Sequence, residues 1–144
     1  MIKQLSIFVE NKEGRLKKAI DTISMVGVNI RALSIADTSK FGILRLIVQD
    51  ISKTKKVLEE NNFIVKETDV LAVEIPDEAK GLNKILNILD KSKINLEYLY
   101  AFVSRKDNQA IVIISVENIE EGLKALNEEN VNVLSQKDIE TFKF

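Results

Sequence analysis

The residues able to do chemistry are few in type. Among 144 residues there is no His and no Cys. The usual near-neutral general base, the commonest metal ligand and the thiolate nucleophile are therefore missing together, and so are disulfides and thiolate metal sites. Catalysis would have to rest on carboxylates, Lys, Tyr, Ser or Thr. These do not form a close constellation at any loop, and neither a P-loop nor a dinucleotide glycine signature is present. The chain is accordingly expected not to be an enzyme, and no catalytic residue, metal or cofactor is expected. Lys plus Arg total 21 and Asp plus Glu total 22, a net charge of −1. That balance offers no attraction for nucleic acid or an anionic membrane. No apolar run is long enough to span a bilayer, and the opening Met1-Ile2-Lys3-Gln4-Leu5 carries no apolar signal segment. A folded, cytoplasmic protein is the expectation.

The elements that must position any binding residues come in two copies. Shifted by 66 residues, Leu5-Ser6-Ile7-Phe8-Val9 falls on Leu71-Ala72-Val73-Glu74-Ile75. Leu16, Ala19, Ile20 and Ile23 fall on Leu82, Ile85, Leu86 and Leu89, and Val28-Asn29-Ile30 falls on Ile94-Asn95-Leu96. Beyond a two-residue insertion in the 102–109 turn the shift becomes 68, pairing Val48 with Val116, Leu58 with Leu126 and Val65 with Val133. The likeness is one of pattern, carried through six consecutive elements.

Within copy one, Leu5, Ile7 and Val9 have the two-residue period of a half-buried strand. Leu16, Ala19, Ile20 and Ile23 follow the i, i+3, i+4, i+7 spacing of an amphipathic helix, with Gly27 as its terminating glycine. Asn29 to Ala36 and Ile43 to Val48 are predicted strands around the turn Asp37-Thr38-Ser39-Lys40. A second helix is predicted from near Ser52 to Asn61-Asn62, with Val57 and Leu58 inward, before a strand opening at Phe63-Ile64-Val65. Copy two repeats the order: strand Val70 to Ile75, helix Ala79 to Leu89, strands Asn95 to Val103 and Ala110 to Val116 around Ser104 to Asn108. A helix capped by Asn118 with Glu121 and carrying Leu123 and Leu126 follows, then a strand from Val131 to Leu134. The fold class is thus α+β: two tandem ferredoxin-like βαββαβ units, antiparallel sheets with helices on one face. The expected domains are residues 1–68 and 69–144. Pro76 ends a strand, where no ladder donor is needed, and no Pro-, Gly- or Ser-rich linker separates the copies.

A sheet with both helices on one face should alternate apolar and polar residues if its other face is wet. Leu44 with Leu46-Ile47-Val48, and Ile111-Val112-Ile113-Ile114, do not alternate. Either the copies cover one another or a second chain covers them, and a homodimer is the favoured expectation. Arg45, in one of these apolar strands, is either an ion-pair residue at an interface or an outward charge.

The segment Phe8-Val9-Glu10-Asn11-Lys12-Glu13-Gly14-Arg15-Leu16 resembles the opening of an ACT domain, and Gly27-Val28-Asn29-Ile30 resembles that family's passage from first helix to second strand. Copy two echoes both in Ile75-Pro76-Asp77-Glu78-Ala79-Lys80-Gly81-Leu82 and Lys93-Ile94-Asn95-Leu96. The resemblance covers the chain as two tandem ACT-like domains. It implies a regulatory protein that binds an amino acid or related metabolite, with a partner enzyme, at a site beside the first β–α loop where two ACT domains meet.

Carried onto this sequence, the implied ligand-binding residues are Asn11, Lys12, Glu13, Gly14, Arg15, Leu16, Asn29 and Ile30 in copy one. In copy two they are Asp77, Ala79, Lys80, Gly81, Leu82 and Asn95. A loop entering a helix offers backbone N–H groups and a positive dipole end to a carboxylate. Gly14 lets backbone approach the ligand or simply satisfies a tight turn. Asn29 and Asn95 offer donor and acceptor to a zwitterion or bond their own backbone, and Asp77 is an ammonium acceptor or a helix N-cap. Copy one has Glu13 where the family commonly has Pro, and copy two has Lys80 in place of Gly14 with Gly81 one residue later, so copy one is the preferred site. A ligand-free tandem scaffold that dimerises or binds a partner enzyme is the alternative. RNA-recognition motifs share the βαββαβ order but need aromatics on the central strands, and Ile43 to Val48 and Ala110 to Val116 contain none.

Overall fold

The computed structural model describes residues 1–37, 40–102 and 108–141. The central residues of both hairpin turns, Thr38-Ser39 and 103–107, and the last strand residue expected at Val103, lie outside them. The chain resolves into two compact units, Lys3–Thr68 and Asp69–Phe144, with Met1–Ile2 grouped in the latter.

The first unit contains β1 (Ile2–Glu10), α1 (Arg15–Ser24), β2 (Ile30–Asp37), β3 (Phe41–Val48), α2 (Ile51–Glu60) and the opening residues of β4 (Ile64–Pro76). Its strands run in the order β2-β3-β1-β4, with β3 antiparallel to both β1 and β2. Register places Leu5 opposite Leu46 and Ile7 opposite Leu44, so these residues share one face. They pack with Val9, Ala19, Ile23, Val48 and Leu58 into a core beneath α1 and α2. The Asp50 side chain caps α2 by accepting the Lys53 N–H at 3.0 Å.

The second unit repeats this with the rest of β4, α3 (Ala79–Lys91), β5 (Leu96–Ala101), β6 (Gln109–Val116), α4 (Ile119–Glu128) and β7 (Asn132–Val133). The order β5-β6-β4-β7 is the same arrangement. Leu71, Val73, Ile75, Ile85, Leu89, Ile114 and Leu126 form its core. Asn118 caps α4 by accepting the Glu121 N–H at 3.1 Å, as the sequence spacing predicts. Both units are βαββαβ, and the duplication holds bond by bond. The Gln49 N–H donates to Asn29 O and the Glu117 N–H to Asn95 O, both at 3.0 Å. The Asn11 N–H donates to Lys40 O and the Asp77 N–H to Asn108 O. Each pair joins an element matched at a shift of 66 to one matched at 68.

Several details differ from the sequence reading. The strand expected at Val70 to Ile75 is the later part of one continuous β4. β3 starts at Phe41, two residues early, so a central strand does carry an aromatic. α1 ends at Ser24, with Met25 as C-cap, and Gly27 takes its left-handed φ of 68° in the turn beyond. The last strand is two residues long, and a helix α5 (Gln136–Thr141) follows that periodicity did not announce. Ser135 and Asp138 bond reciprocally at its start: the Ser135 N–H donates to the carboxylate at 2.8 Å and the Asp138 N–H to Ser135 Oγ at 3.2 Å. This Ser-x-x-Asp pattern was readable as a capping box.

The second faces of the sheets also resolve. Leu44, Leu46 and Val48, with Val112, Ile114 and Val116, belong to the cores beneath the helices. Ile47, Ile111 and Ile113 point the other way and are buried. Arg45 stands between Ser6 and Ser34 in register on this second face, half-buried.

Candidate functional site

The turn from β1 into α1 is built around Gly14. It is the N-cap of α1 at φ 80°, ψ −8°, and makes no side-chain cap bond. This left-handed conformation suits glycine. The turn is fastened by the Arg15 N–H donating to Lys12 O at 3.2 Å and the Lys12 N–H to Glu10 O at 2.8 Å. Nothing lies within 4 Å of where a Gly14 side chain would project. The first turn of α1 thus opens to solvent with no acidic residue on it. Lys12, Arg15, Lys17 and Lys18 surround it. Arg15 approaches Glu10 at 4.0 Å and Lys17 pairs with Asp21 at 2.6 Å. The helix dipole favours an anion here, while Glu10, Glu13 and Asp21 offset three of the four cations.

Apolar residues beside this loop and along β2 are unusually exposed. Leu16, expected on the inner face of α1, is 39% exposed. Leu33 and Ile35, at 43% and 52%, lie opposite Leu46 and Leu44 on the helix-side face of β2, an edge strand. Ile35 flanks Gly42, whose position opposite both Val9 and Asp37 marks the sheet end from which the loop departs.

Asn11 to Leu16 are therefore contiguous and accessible, all exposed except the half-buried Arg15. Asn29 and Ile30 are not with them. Ile30 pairs with Val48, whereas Glu10 pairs with Phe41 at the far end of β3; at about 3.3 Å per residue the separation is about 23 Å. Asn95 sits likewise at the distal end of its unit, in a depression of about 300 Å³ with Lys93, Ile94, Glu117, Asn118 and Glu121. Within one copy, the loop and the Asn do not meet. The carbonyls of Asn29 and Asn95 serve the bonds to Gln49 and Glu117.

Copy two is built differently at the corresponding loop. Glu78, not Asp77, is the N-cap of α3 and makes no side-chain cap bond. The Gly81 N–H donates to Glu78 O at 3.0 Å. Gly81 is buried, and a Cβ there would lie 2.2 Å from the Pro76 carbonyl oxygen. Backbone packing alone requires a glycine here. Leu82 packs against the core, and Ala79 and Lys80 are exposed. Asp77 and Glu78 already place two carboxylates at the positive end of α3, which disfavours a third.

Arg31 escaped the sequence reading. It is 4% exposed, in the bulge between Ile30 and Ala32, and burial lowers its pKa. A guanidinium nevertheless stays cationic at neutral pH. The matching bulge residue of copy two is Glu97, whose carboxylate accepts from Ser115 Oγ at 3.0 Å. Nothing in the local pattern distinguishes a buried charge at a bulge from an exposed one. Among the described residues no group of three or more acids could hold a metal, and no helix is long and apolar enough to cross a membrane.

Comparison with known proteins places this geometry. The family described as the ACT domain pair matches residues 1–143. The acetolactate synthase small subunit of Buchnera aphidicola subsp. Baizongia pistaciae (strain Bp) is 33% identical over 95 residues, 65% of this chain and 57% of that protein. The chain thus spans somewhat over half the length of that relative. The crystal structure of protein BT0572 from Bacteroides thetaiotaomicron superimposes with a TM-score of 0.90 at 37% identity, covering 98% of this chain and 96% of that one. The regulatory subunit of aspartate kinase from Thermus thermophilus, in a ligand-free form, shares the fold with a TM-score of 0.60 at 14% identity, covering 88% of this chain and 90% of that one.

Proposed function

This chain belongs to the ACT domain pair family, and from that membership we propose that it is a non-catalytic regulatory protein that binds an amino acid or a related metabolite at the β1–α1 loop of copy one. Residues 1–68 and 69–144 are its two ACT domains. The observation that carries the reading is the start of α1, a left-handed Gly14 with open space before it and no side chain capping the first turn. The backbone N–H groups of that turn would hold the ligand carboxylate, with Arg15 and Lys12 adding positive charge. Asn11 and the loop carbonyls would accept from the ammonium group. The exposed Leu16 and Ile35 would receive an apolar side chain.

The unpaired edge of β2 supports a homodimer in which a second chain completes this site. An edge strand with two exposed aliphatic side chains is a surface that proteins cover. The relative at 33% identity, a small subunit of acetolactate synthase, supports a cytoplasmic enzyme as the regulated partner. Titration calorimetry and thermal-shift measurement against the twenty amino acids test the proposal. A stabilising ligand raises the melting temperature by mass action, and Gly14→Ala should remove that response. A flat panel on a stable dimer would refute ligand sensing and leave the scaffold role.

A further inference from the structure

Helix α3 treats its lysines differently from the other three long helices. α1 pairs Lys17 with Asp21, α2 pairs Lys55 with Glu59 and Lys56 with Glu60, and α4 pairs Lys124 with Glu128. Each is an i,i+4 pair that neutralises a solvated face. On α3 the positions four residues after Lys80 and Lys84 hold Lys84 and Ile88, and four before Lys91 stands Asn87. Among the described residues its lysines form no such pair. At 100° per residue Lys80, Lys84, Asn87 and Lys91 fall within an arc of about 60°, a stripe about 16 Å long.

The stripe borders a depression of about 410 Å³, lined by its three lysines with Asn83, Asn87, Ile88 and Glu129. Three cations against one carboxylate leave a local charge of +2. The size falls in the range of small-molecule sites, Ile88 supplies an apolar wall, and the two Asn side chains supply donors that an anion accepts. Copy one has no counterpart: a shift of 66 puts Gly14, Lys18, Asp21 and Met25 at the positions of the stripe, one cation cancelled by one acid. The cationic stripe is thus not a property of the duplicated scaffold.

We infer that this depression is a second binding site, taking a compact small molecule with two or more anionic groups, of the diphosphate or tricarboxylate class. Lys84 and Lys91 grip separate anionic groups, Asn87 donates between them, and Glu129 limits the net charge accepted at the rim. The site does not depend on the amino-acid reading, because neither Lys84 nor Lys91 belongs to either β–α loop.

Titration calorimetry of the full chain with pyrophosphate, then citrate, at low ionic strength tests the inference, with Lys84→Gln and Lys91→Gln as variants and Lys124→Gln in α4 as control. Saturable one-to-one binding is expected, weakened roughly three- to tenfold by either α3 substitution, as befits partly exposed charge-assisted contacts, and unchanged by the control. Any thermal-shift response to amino acids should persist in both α3 variants. Absence of saturable binding at millimolar pyrophosphate and citrate, or binding indifferent to both substitutions, would overturn the assignment. Tighter binding of a hexaglutamate peptide than of either small anion would also overturn it, and assign the stripe to an acidic protein surface. All three lysine variants should keep the parental far-ultraviolet circular dichroism, since these side chains lie at the surface.

Discussion

Substituting Gly81 by Ala puts a methyl where backbone already stands. The added Cβ lies 2.2 Å from the Pro76 carbonyl oxygen and 3.3 Å from its carbonyl carbon. Relief requires α3 and the end of β4 to part by about 1 Å, since neither partner is the end of a flexible side chain and close-packed interiors yield little. Overpacking typically costs about 1–3 kcal/mol, and a backbone-on-backbone clash belongs at or above the upper part of that range. At roughly 2–4 °C per kcal/mol for a chain of this size, a cost of about 3 kcal/mol lowers the melting temperature by about 6–12 °C. Gly14→Ala is the comparison. Its Cβ meets nothing within 4 Å, so only the left-handed backbone is penalised, by about 1–2 kcal/mol. Urea unfolding followed by circular dichroism should therefore rank Gly81→Ala clearly below Gly14→Ala, while the amino-acid response should be lost in Gly14→Ala. A Gly81→Ala chain as stable as Gly14→Ala would refute the argument that one glycine packs a helix onto a strand while the other opens a site.

Further expectations follow from single contacts. Lys93 holds φ 54° at the position where copy one has Gly27 at φ 68°; Lys93→Gly should stabilise by roughly 0.5–1 kcal/mol in urea unfolding, and a net loss would count against left-handed strain there. Asn118→Ala removes the side-chain acceptor of the Glu121 N–H and should cost about 1 kcal/mol by the same assay; no measurable loss would show the cap to be idle. The Asp138 pKa is lowered, first by the hydrogen bond from the Ser135 backbone N–H and then by that from the Ser135 hydroxyl, against an opposing desolvation that outweighs the Lys137 charge. A depressed folded-state pKa means this stabilisation is present above the unfolded carboxylate value and is lost as pH falls through the folded one. Protection factors of the α5 amides, corrected for intrinsic exchange, should therefore fall in acid, and Asp138→Asn should remove that acid-dependent component.

The elements were legible because each side of their periodicity is enforced by a core. Leu5, Ile7 and Val9 alternate because Ser6 and Phe8 face elsewhere, and Ala19 and Ile23 recur because α1 rests on Leu44 and Leu46. Legibility falls off where that enforcement stops. Leu16 fits the helical period but lies at the first turn, beyond full burial, so an apolar residue that looked structural is exposed at the candidate site. Gly14 and Gly81 look alike in sequence, yet one has open space and the other a carbonyl oxygen beside it, a difference created by how α3 starts against Pro76. The family resemblance sets Asn29 with the loop, and register places the two at opposite ends of β3 within one copy. The α5 helix, six residues long, is too short for periodicity and was signalled only by its cap.

A duplicated scaffold makes the unshared positions informative. Asn62 and Asn130 occupy the same left-handed helix end at φ 66° and 57°, and Asp50 and Asn118 cap the same helix; these are costs the fold imposes on both copies. Where the copies part, fold stability is not the common cause. Gly14 against Lys80 opens one helix start and leaves the other beside two acids; Asp21 against Asn87 neutralises one helix face and leaves the other cationic. Both differences concern accessible charge at the first helix of a copy. If each copy kept a ligand of the same kind, selection would hold these loops alike. Their opposite electrostatics instead argue for two occupants of different charge, a zwitterion at α1 and a polyanion beside α3. The two ligands should then bind without competing, so that saturating pyrophosphate leaves the amino-acid dissociation constant within about twofold, a change below roughly 0.4 kcal/mol; mutual exclusion in a competition titration would show that a single site serves both.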